Sequence, residues 1–401
     1  MAHVVAIGTY LPPWEQDGER VAGPDEDALT MAVAAGRVAD RGATATRVVM
    51  VTRNFPLLEG GSGGVLVAAL SLAADVPVTE VLGGGPAVLD QITQGEPGTL
   101  VIAADETGGA AVLLGRGGTG VAPVARQNRS LPVVVRQDNG AQRAYNDPRL
   151  LREAGVGVSL SRLGITGSPA LAAVSGTKAA QLKDFSDTAD ALESAGSSGV
   201  AAVRLLADAV EAGRSGMLVA VEQANVAVAE LADGHTRITR DEPDVQPMPK
   251  FRTAPGNGIP VSLASYARAF EPKIRWEAAV FDGDADGPPL FPPRVRVDAK
   301  GAIMTYRMQP LPRSGTVYTQ ASIAFPVPDL PSPYALALIQ LDGSPVRVLL
   351  KVTGAPLGVM KIGDRGSVVF RRIAMRTGIP DYGYMFWPGK EDVTTGEGAV
   401  A

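Results

Sequence analysis

Residues 199–212, GVAAVRLLADAVEA, and residues 216–221, GMLVAV, decide the fold. In the first run apolar residues recur at helical spacing and stop near Gly213. The second is a short apolar run of the kind buried in a sheet. A helix leading into a buried strand is half of an α/β unit, and the same alternation extends upstream. Residues 3–8 form an apolar run ending at glycine. Residues 25–39, DEDALTMAVAAGRVA, have helical spacing, with Pro24 and acidic residues where the helix macrodipole favours negative charge. Residues 47–52, RVVMVT, read as a buried strand and residues 63–72 as a small-residue helix. Two further strands, 99–104 and 110–114, are separated by DETGG. The pattern restarts with a strand at 171–174. Such alternation predicts α/β layers around a mostly parallel sheet.

Outside this region the character changes. The stretch 232–260 holds five prolines and little periodicity, which predicts a linker over 232–258. Short strands follow at 316–325, 334–341, 346–353 and 366–373, separated by glycine- and proline-bearing turns, as in a small barrel of the OB type. The expected division is an α/β region over 1–231, the linker, a small all-β barrel domain over 259–390 and a flexible tail over 391–401.

Composition narrows the function. A net charge of −5 lacks the basic excess of nucleic-acid binders. No apolar run reaches the length of a membrane span, and the N-terminus has no basic segment before its apolar stretch. A cytoplasmic protein is the expectation. The chain has no cysteine, which excludes disulfides, thiolate zinc ligands and a cysteine nucleophile together. Its two histidines, His3 and His235, lie far apart, and each is expected to be structural or solvated.

Two family resemblances meet in the chain. The segments VVAIGTYLPPW, GPDEDALTMAVAAGRVA, VVMVTRNFP and ADETGGAAVLLG, in that order, resemble the N-terminal half of the 3-hydroxy-3-methylglutaryl-CoA synthase branch of the thiolase superfamily. The segments IPVSLASYARAFEPKIRWEAA, LFPPRVRV, YTQASIAFPVPDLPSPYALALIQLDG, VRVLLKVTG, IGDRG and PDYGYMFWP resemble the acyl-CoA-associated OB-fold family. Together they imply a thiolase-like layered fold with an abbreviated second half, followed by an OB-type barrel with a degenerate zinc ribbon.

The first resemblance also implies a lost reaction centre. In that family a cysteine follows an acidic-apolar strand and precedes a small-residue helix. Here the stretch is VTEVLGGGPAVLDQI and the position falls at Gly83. The family histidine falls near Ser175, its asparagine near Ser197 and its acid/base glutamate near Arg53. Thioester chemistry of that kind needs a thiolate and polar donors for the oxyanion, and these residues supply neither a cysteine nor a histidine. In the barrel region the Phe291-Pro292-Pro293 turn survives without flanking cysteines. Asp282, Asp284 and Asp286 alternate as hard-metal ligands can, but no glutamate closes a calcium loop. A solvated acidic turn and no bound zinc or other metal are expected. GGSGG at 60–64 and GRGGTG at 115–120 lack the endings of phosphate loops.

Two functions remain open. One is a non-catalytic or scaffold subunit that binds an acyl-CoA or acyl-carrier-protein thioester, as a homodimer or beside an active thiolase-like enzyme in lipid or polyketide metabolism. The other is a cysteine-independent aldolase, lyase or acyltransferase, with Tyr145, Tyr10, Asp138 and Glu80 as acid/base candidates. Lys178, Arg143 and Arg149 are the candidate contacts for CoA phosphates. No covalently bound cofactor is expected.

Overall fold

The computed structural model describes residues 1–57, 61–129, 131, 134–136, 141–145, 147–258, 270–283, 287–328, 330–376 and 378–393. The chain divides into two units that interleave along the sequence. The first comprises Met1–Leu11, Ala35–Gly61 and Asp75–Asp241; the second comprises Pro12–Ala34, Ser62–Ala74 and the chain from Glu242 onward.

The first unit is built on one eleven-stranded sheet. Its first half contributes β1 (Ala2–Tyr10), β2 (Arg47–Thr52), β3 (Val78–Leu82), β4 (Thr99–Asp105) and β5 (Gly108–Leu114). Its second half contributes β6 (Thr119–Gln127), β7 (Leu171–Ser175), β8 (Leu192–Ser194), β9 (Gly216–Glu222) and β10 (Asn225–Leu231). The sheet order is β8-β7-β9-β10-β6-β1-β5-β4-β2-β3. Each half therefore has the order third-second-fourth-fifth-first. In each half the fifth strand alone runs antiparallel to the others. The halves join where β1 and β6 pair antiparallel, Ala2 opposite Val121. The unit is a duplicated, thiolase-like α/β fold.

Helices cover the sheet because its strands are buried apolar runs. On one face α3 (Gly85–Gln94) and α6 (Gly199–Glu211) insert Val88, Leu89, Ile92, Val200, Val203 and Leu206 against Val49, Val101, Ala103 and Leu218. Burying each large aliphatic side chain contributes about 1.5–3 kcal/mol. The start of α6 is fixed by Ser198, whose hydroxyl accepts from the Ala201 amide at 3.2 Å. On the other face of the second half, Leu160 and Leu182 pack against Val174, Val219 and Val228. They come from the short helix α5 (Val156–Ser161), which follows α4 (Pro148–Ala154), and from a four-residue 3-10 turn, Ala179–Leu182. In the first half, α1 (Ala28–Ala39) brings Ala35 and Ala39 so close to β1 that a Cβ on Gly8 would stand 2.5 Å from the Ala39 nitrogen.

Three expectations need correction. The second half begins at Thr119, well before the strand at 171–174 where the pattern was expected to restart, and has all five strands; its abbreviation lies in the helical layer, where a 3-10 turn connects β7 to β8. The expected linker contains β11 (Arg237–Asp241), which pairs parallel with β1, and Gln246–Pro247, which pairs with Trp14–Gln16. Its charge and prolines hid these pairings, because β11 has no apolar alternation. Finally, Asp25–Asp27 precede α1 instead of forming its first turn. Asp27 caps the helix reciprocally with Thr30: the Thr30 amide donates to Asp27 Oδ1 at 3.0 Å, and the Asp27 amide donates to Thr30 Oγ1 at 2.8 Å.

In the second unit, β12 (Glu277–Phe281) and β13 (Tyr306–Pro310) form a hairpin. They precede a five-stranded sheet of β14 (Ser314–Ile323), β15 (Tyr334–Leu341), β16 (Arg347–Lys351), β17 (Arg365–Arg376) and β18 (Ile379–Pro388). Its order is β16-β15-β14-β17-β18. A parallel bridge from Val352 to Phe386, just past the end of β16, joins its two edges, with the Thr353 amide donating to Phe386 O at 2.9 Å. That closure makes an OB-type barrel. The hairpin stands where the resemblance put a zinc ribbon. Among the described residues it is held by Phe281 against Tyr306, Arg296 over Phe281, and the Thr305 hydroxyl donating to Asp282 at 2.5 Å. Asp284 and Asp286 lie outside the described residues, as does the tail beyond Val393.

Candidate functional site

The four positions singled out in the sequence converge between the halves of the first unit. Arg53 follows β2, and Gly83 and Gly84 link β3 to α3. Ser175 ends β7, and Ser197 precedes α6. Each of these loops follows the C-terminal end of a strand of its own half, as crossover connections between parallel strands require.

Arg53 organises the cluster. Its Nε donates to Glu222 Oε1 at 2.6 Å, and its Nη2 donates to Ser197 O at 2.7 Å and Ser197 Oγ at 2.9 Å. The other oxygen of Glu222, Oε2, accepts from the Gly84 amide at 2.9 Å. The Gly85 amide donates to Ser197 O at 2.9 Å. Gly84 is the N-cap of α3, so the Glu222 carboxylate meets the positive end of that helix. A charge-assisted pair thus spans from the end of β2 to the end of β9 and bonds to the starts of both buried helices.

The space around these residues is tight. A Cβ on Gly84 would lie 2.5 Å from Arg53 Nη2 and 2.5 Å from Ser197 O. One on Gly85 would meet Ser175 Oγ at 3.4 Å. Ser175 is buried and borders a void of about 20 Å³ lined by α3, α6, β7 and β9. That is room for about one water, not for an acyl chain.

The remaining candidates lie on other elements. Tyr10 is 1% exposed, within the β1 ladder. Tyr145 is 55% exposed, just after the short strand Gln142–Ala144 that carries Arg143. Glu80 is exposed on β3, and Asp138 is outside the described residues. Lys178 is exposed before the 3-10 turn, and Arg149 is exposed beside Asp147 at 3.6 Å. His3 lies in β1 and His235 is exposed. The glycine runs shape turns: a Cβ on Gly118, in the β5–β6 turn at φ +96°, would lie 2.2 Å from Val4 O. Among the described residues no group of histidine, aspartate or glutamate side chains is arranged to hold a metal.

Sequence reading missed Glu222. Its only local signal was a carboxylate ending a buried strand, GMLVAVE. It also missed an apolar chamber of about 440 Å³ in the second unit, into which Lys351 faces.

The chain combines a duplicated α/β sheet, whose two halves meet at an arginine–glutamate pair, with an OB-type barrel. Residues 308–371 match the model of the C-terminal OB-fold domain of ChsH2. No curated protein sequence matches the chain. Similar solved structures include 3-oxoacyl-[acyl-carrier-protein] synthase III from Aquifex aeolicus, at 13% identity over 58% of this chain and 100% of that one, with a TM-score of 0.46. OleA from Xanthomonas campestris matches at 13% identity over 58% of this chain and 97% of that one, with a TM-score of 0.48. Among the described residues no helix is long and apolar enough to cross a membrane.

Proposed function

We propose that the chain is a non-catalytic subunit that binds an acyl-CoA or acyl-carrier thioester within an acyl-transfer or carbon–carbon bond-forming assembly. The observation that carries this reading is the Arg53–Glu222 pair, which bonds to Ser197 and the Gly84 amide where the family resemblance puts nucleophile, base and oxyanion donors. Backbone N–H groups at a helix start suit an oxyanion. Here the Gly84 amide already donates to a carboxylate of the chain itself. With no cysteine in the chain, the cluster supplies a salt bridge and no acyl acceptor.

A partner is supported by β3. Among the described residues this strand ends the sheet and pairs only with β2, and Leu82 at its end is 75% exposed. An uncovered edge strand is a template for pairing with another chain. A second copy, or an intact condensing enzyme of the same fold, fits that edge. An acid/base enzyme is less well served, since Tyr10 is buried in a strand ladder and Tyr145 lies exposed beyond a short strand.

The test is thioester turnover by the full chain, alone and with an intact condensing enzyme encoded beside it. The expected result is no turnover alone, stable co-purification, and a higher rate for the pair than for the partner by itself. Robust turnover by the isolated chain, abolished by Tyr145→Phe, overturns the proposal.

A further inference from the structure

The chamber in the second unit is walled by Trp14, Phe251, Leu357, Met360, Met375 and Met385. Its volume of about 440 Å³ lies in the range of small-molecule sites. Methionines, unbranched and polarisable, adapt such walls to an apolar guest. Met360 is held in place by its own carbonyl, which accepts from Gln320 Nε2 at 2.8 Å.

Four charged groups line the chamber: Asp25, Lys250, Lys351 and Arg372. Two are engaged with the protein. Asp25 accepts from the Thr353 hydroxyl at 2.6 Å and stands 3.4 Å from Arg371 Nε. Arg372 stands 3.5 Å from Asp27 and donates to Pro24 O at 3.0 Å. Lys250 is exposed. Lys351 differs. It is half-buried, its Nζ donates to Ile373 O at 2.9 Å and lies 4.9 Å from the centre of the Tyr334 ring, and no described carboxylate is within ion-pair distance. An ammonium carries three donors, and one partner leaves two for a guest. A charge held in apolar surroundings without a direct ion pair costs stability unless something pairs with it.

We propose that this chamber binds a free apolar monocarboxylate, its hydrocarbon body against the methionine and aromatic walls and its carboxylate on Lys351. The site is independent of the thioester-binding role proposed for the first unit. Three cations and one carboxylate line the chamber, so its charge disfavours cations and favours the acid over its neutral analogues.

The experiment is calorimetric titration of the full-length protein with decanoate, decanol and decanoyl-CoA, with tryptophan fluorescence as a second readout because Trp14 lines the wall. The expected result is that decanoate binds at least ten-fold tighter than decanol and decanoyl-CoA. Lys351→Met should weaken decanoate at least ten-fold and leave decanol unchanged, which also reports that the chamber is intact. Lys351→Arg should retain the preference for the acid, and it replaces the methionine variant if that one does not fold. Equal binding of acid and alcohol, no binding of either, binding of the CoA ester as tight as the acid, or undiminished decanoate binding by Lys351→Met overturns the proposal.

Discussion

Arg53 and Glu222, 169 residues apart in the chain, meet at 2.6 Å and tie the two halves of the α/β unit together. The carboxylate also accepts from the Gly84 amide, and the guanidinium donates to the Ser197 carbonyl and hydroxyl. Removing the carboxylate leaves the amide and the guanidinium short of an acceptor. Glu222→Ala is expected to destabilise by about 1–3 kcal/mol, the cost of unsatisfied partly buried donors. Urea denaturation of the single variants and of Arg53→Met/Glu222→Ala checks it. The double variant should lose less than the sum of the singles, since the residues interact directly.

Gly84 offers a sterically cleaner test. A methyl there would collide with Arg53 Nη2 and with the Ser197 carbonyl, each at 2.5 Å. Gly84→Ala should cost about 1–3 kcal/mol through overpacking. Shortening Arg53 relieves only the side-chain collision, because the backbone oxygen stays. Gly84→Ala in an Arg53→Ala background should therefore recover part of the loss and not all of it.

In the second unit the acidic run before α1 serves the barrel. Arg371, 1% exposed on β17, stands 3.4 Å from Asp25 and 3.3 Å from Glu26, and its charge lies 5.5 Å from the Trp387 ring centre. Glu26, 3% exposed, also accepts from the Gly23 amide at 2.9 Å. Breaking a buried pair on one side leaves an uncompensated charge and costs about 3–5 kcal/mol. Glu26→Ala is expected to lower the unfolding free energy, measured by urea denaturation, by that amount. Replacing both members with apolar residues, Glu26→Leu/Arg371→Met, should restore much of it.

What was legible in the sequence follows how local each signal is. RVVMVT at 47–52 and the helix from Gly199 declared themselves, because β-branched runs and helical spacing are properties of neighbouring residues. The strand Thr119–Gln127 was hidden by Pro123, which sits at a register shift against β10, and by polar residues in its second half. The convergence of Arg53, Gly83, Ser175 and Ser197 followed from resemblance, since no local pattern joins loops so far apart. Glu222 and the chamber around Lys351 were invisible for the same reason. The chamber draws on residues 14–25, 249–256 and 320–385, which only folding assembles.

Lys351 supplies a prediction that titration can decide. Desolvation by burial lowers its pKa; Asp25 works against this and Arg376 adds to it. Arg372 and Lys250, both cationic, share the chamber wall. A lysine whose folded value lies below the unfolded value of about 10.4 is a penalty on the folded state. The penalty is full below the folded pKa. Between the two values the unfolded chain holds more protons, so stability rises with pH there, and above the unfolded value the penalty is gone. Lys351→Met has no such dependence. The stability of the wild type relative to Lys351→Met should therefore climb as pH rises through that alkaline window and level off near the unfolded value. Urea denaturation of both proteins at a series of pH values measures it. A flat difference across the window would mean that the ammonium is solvated in the folded state.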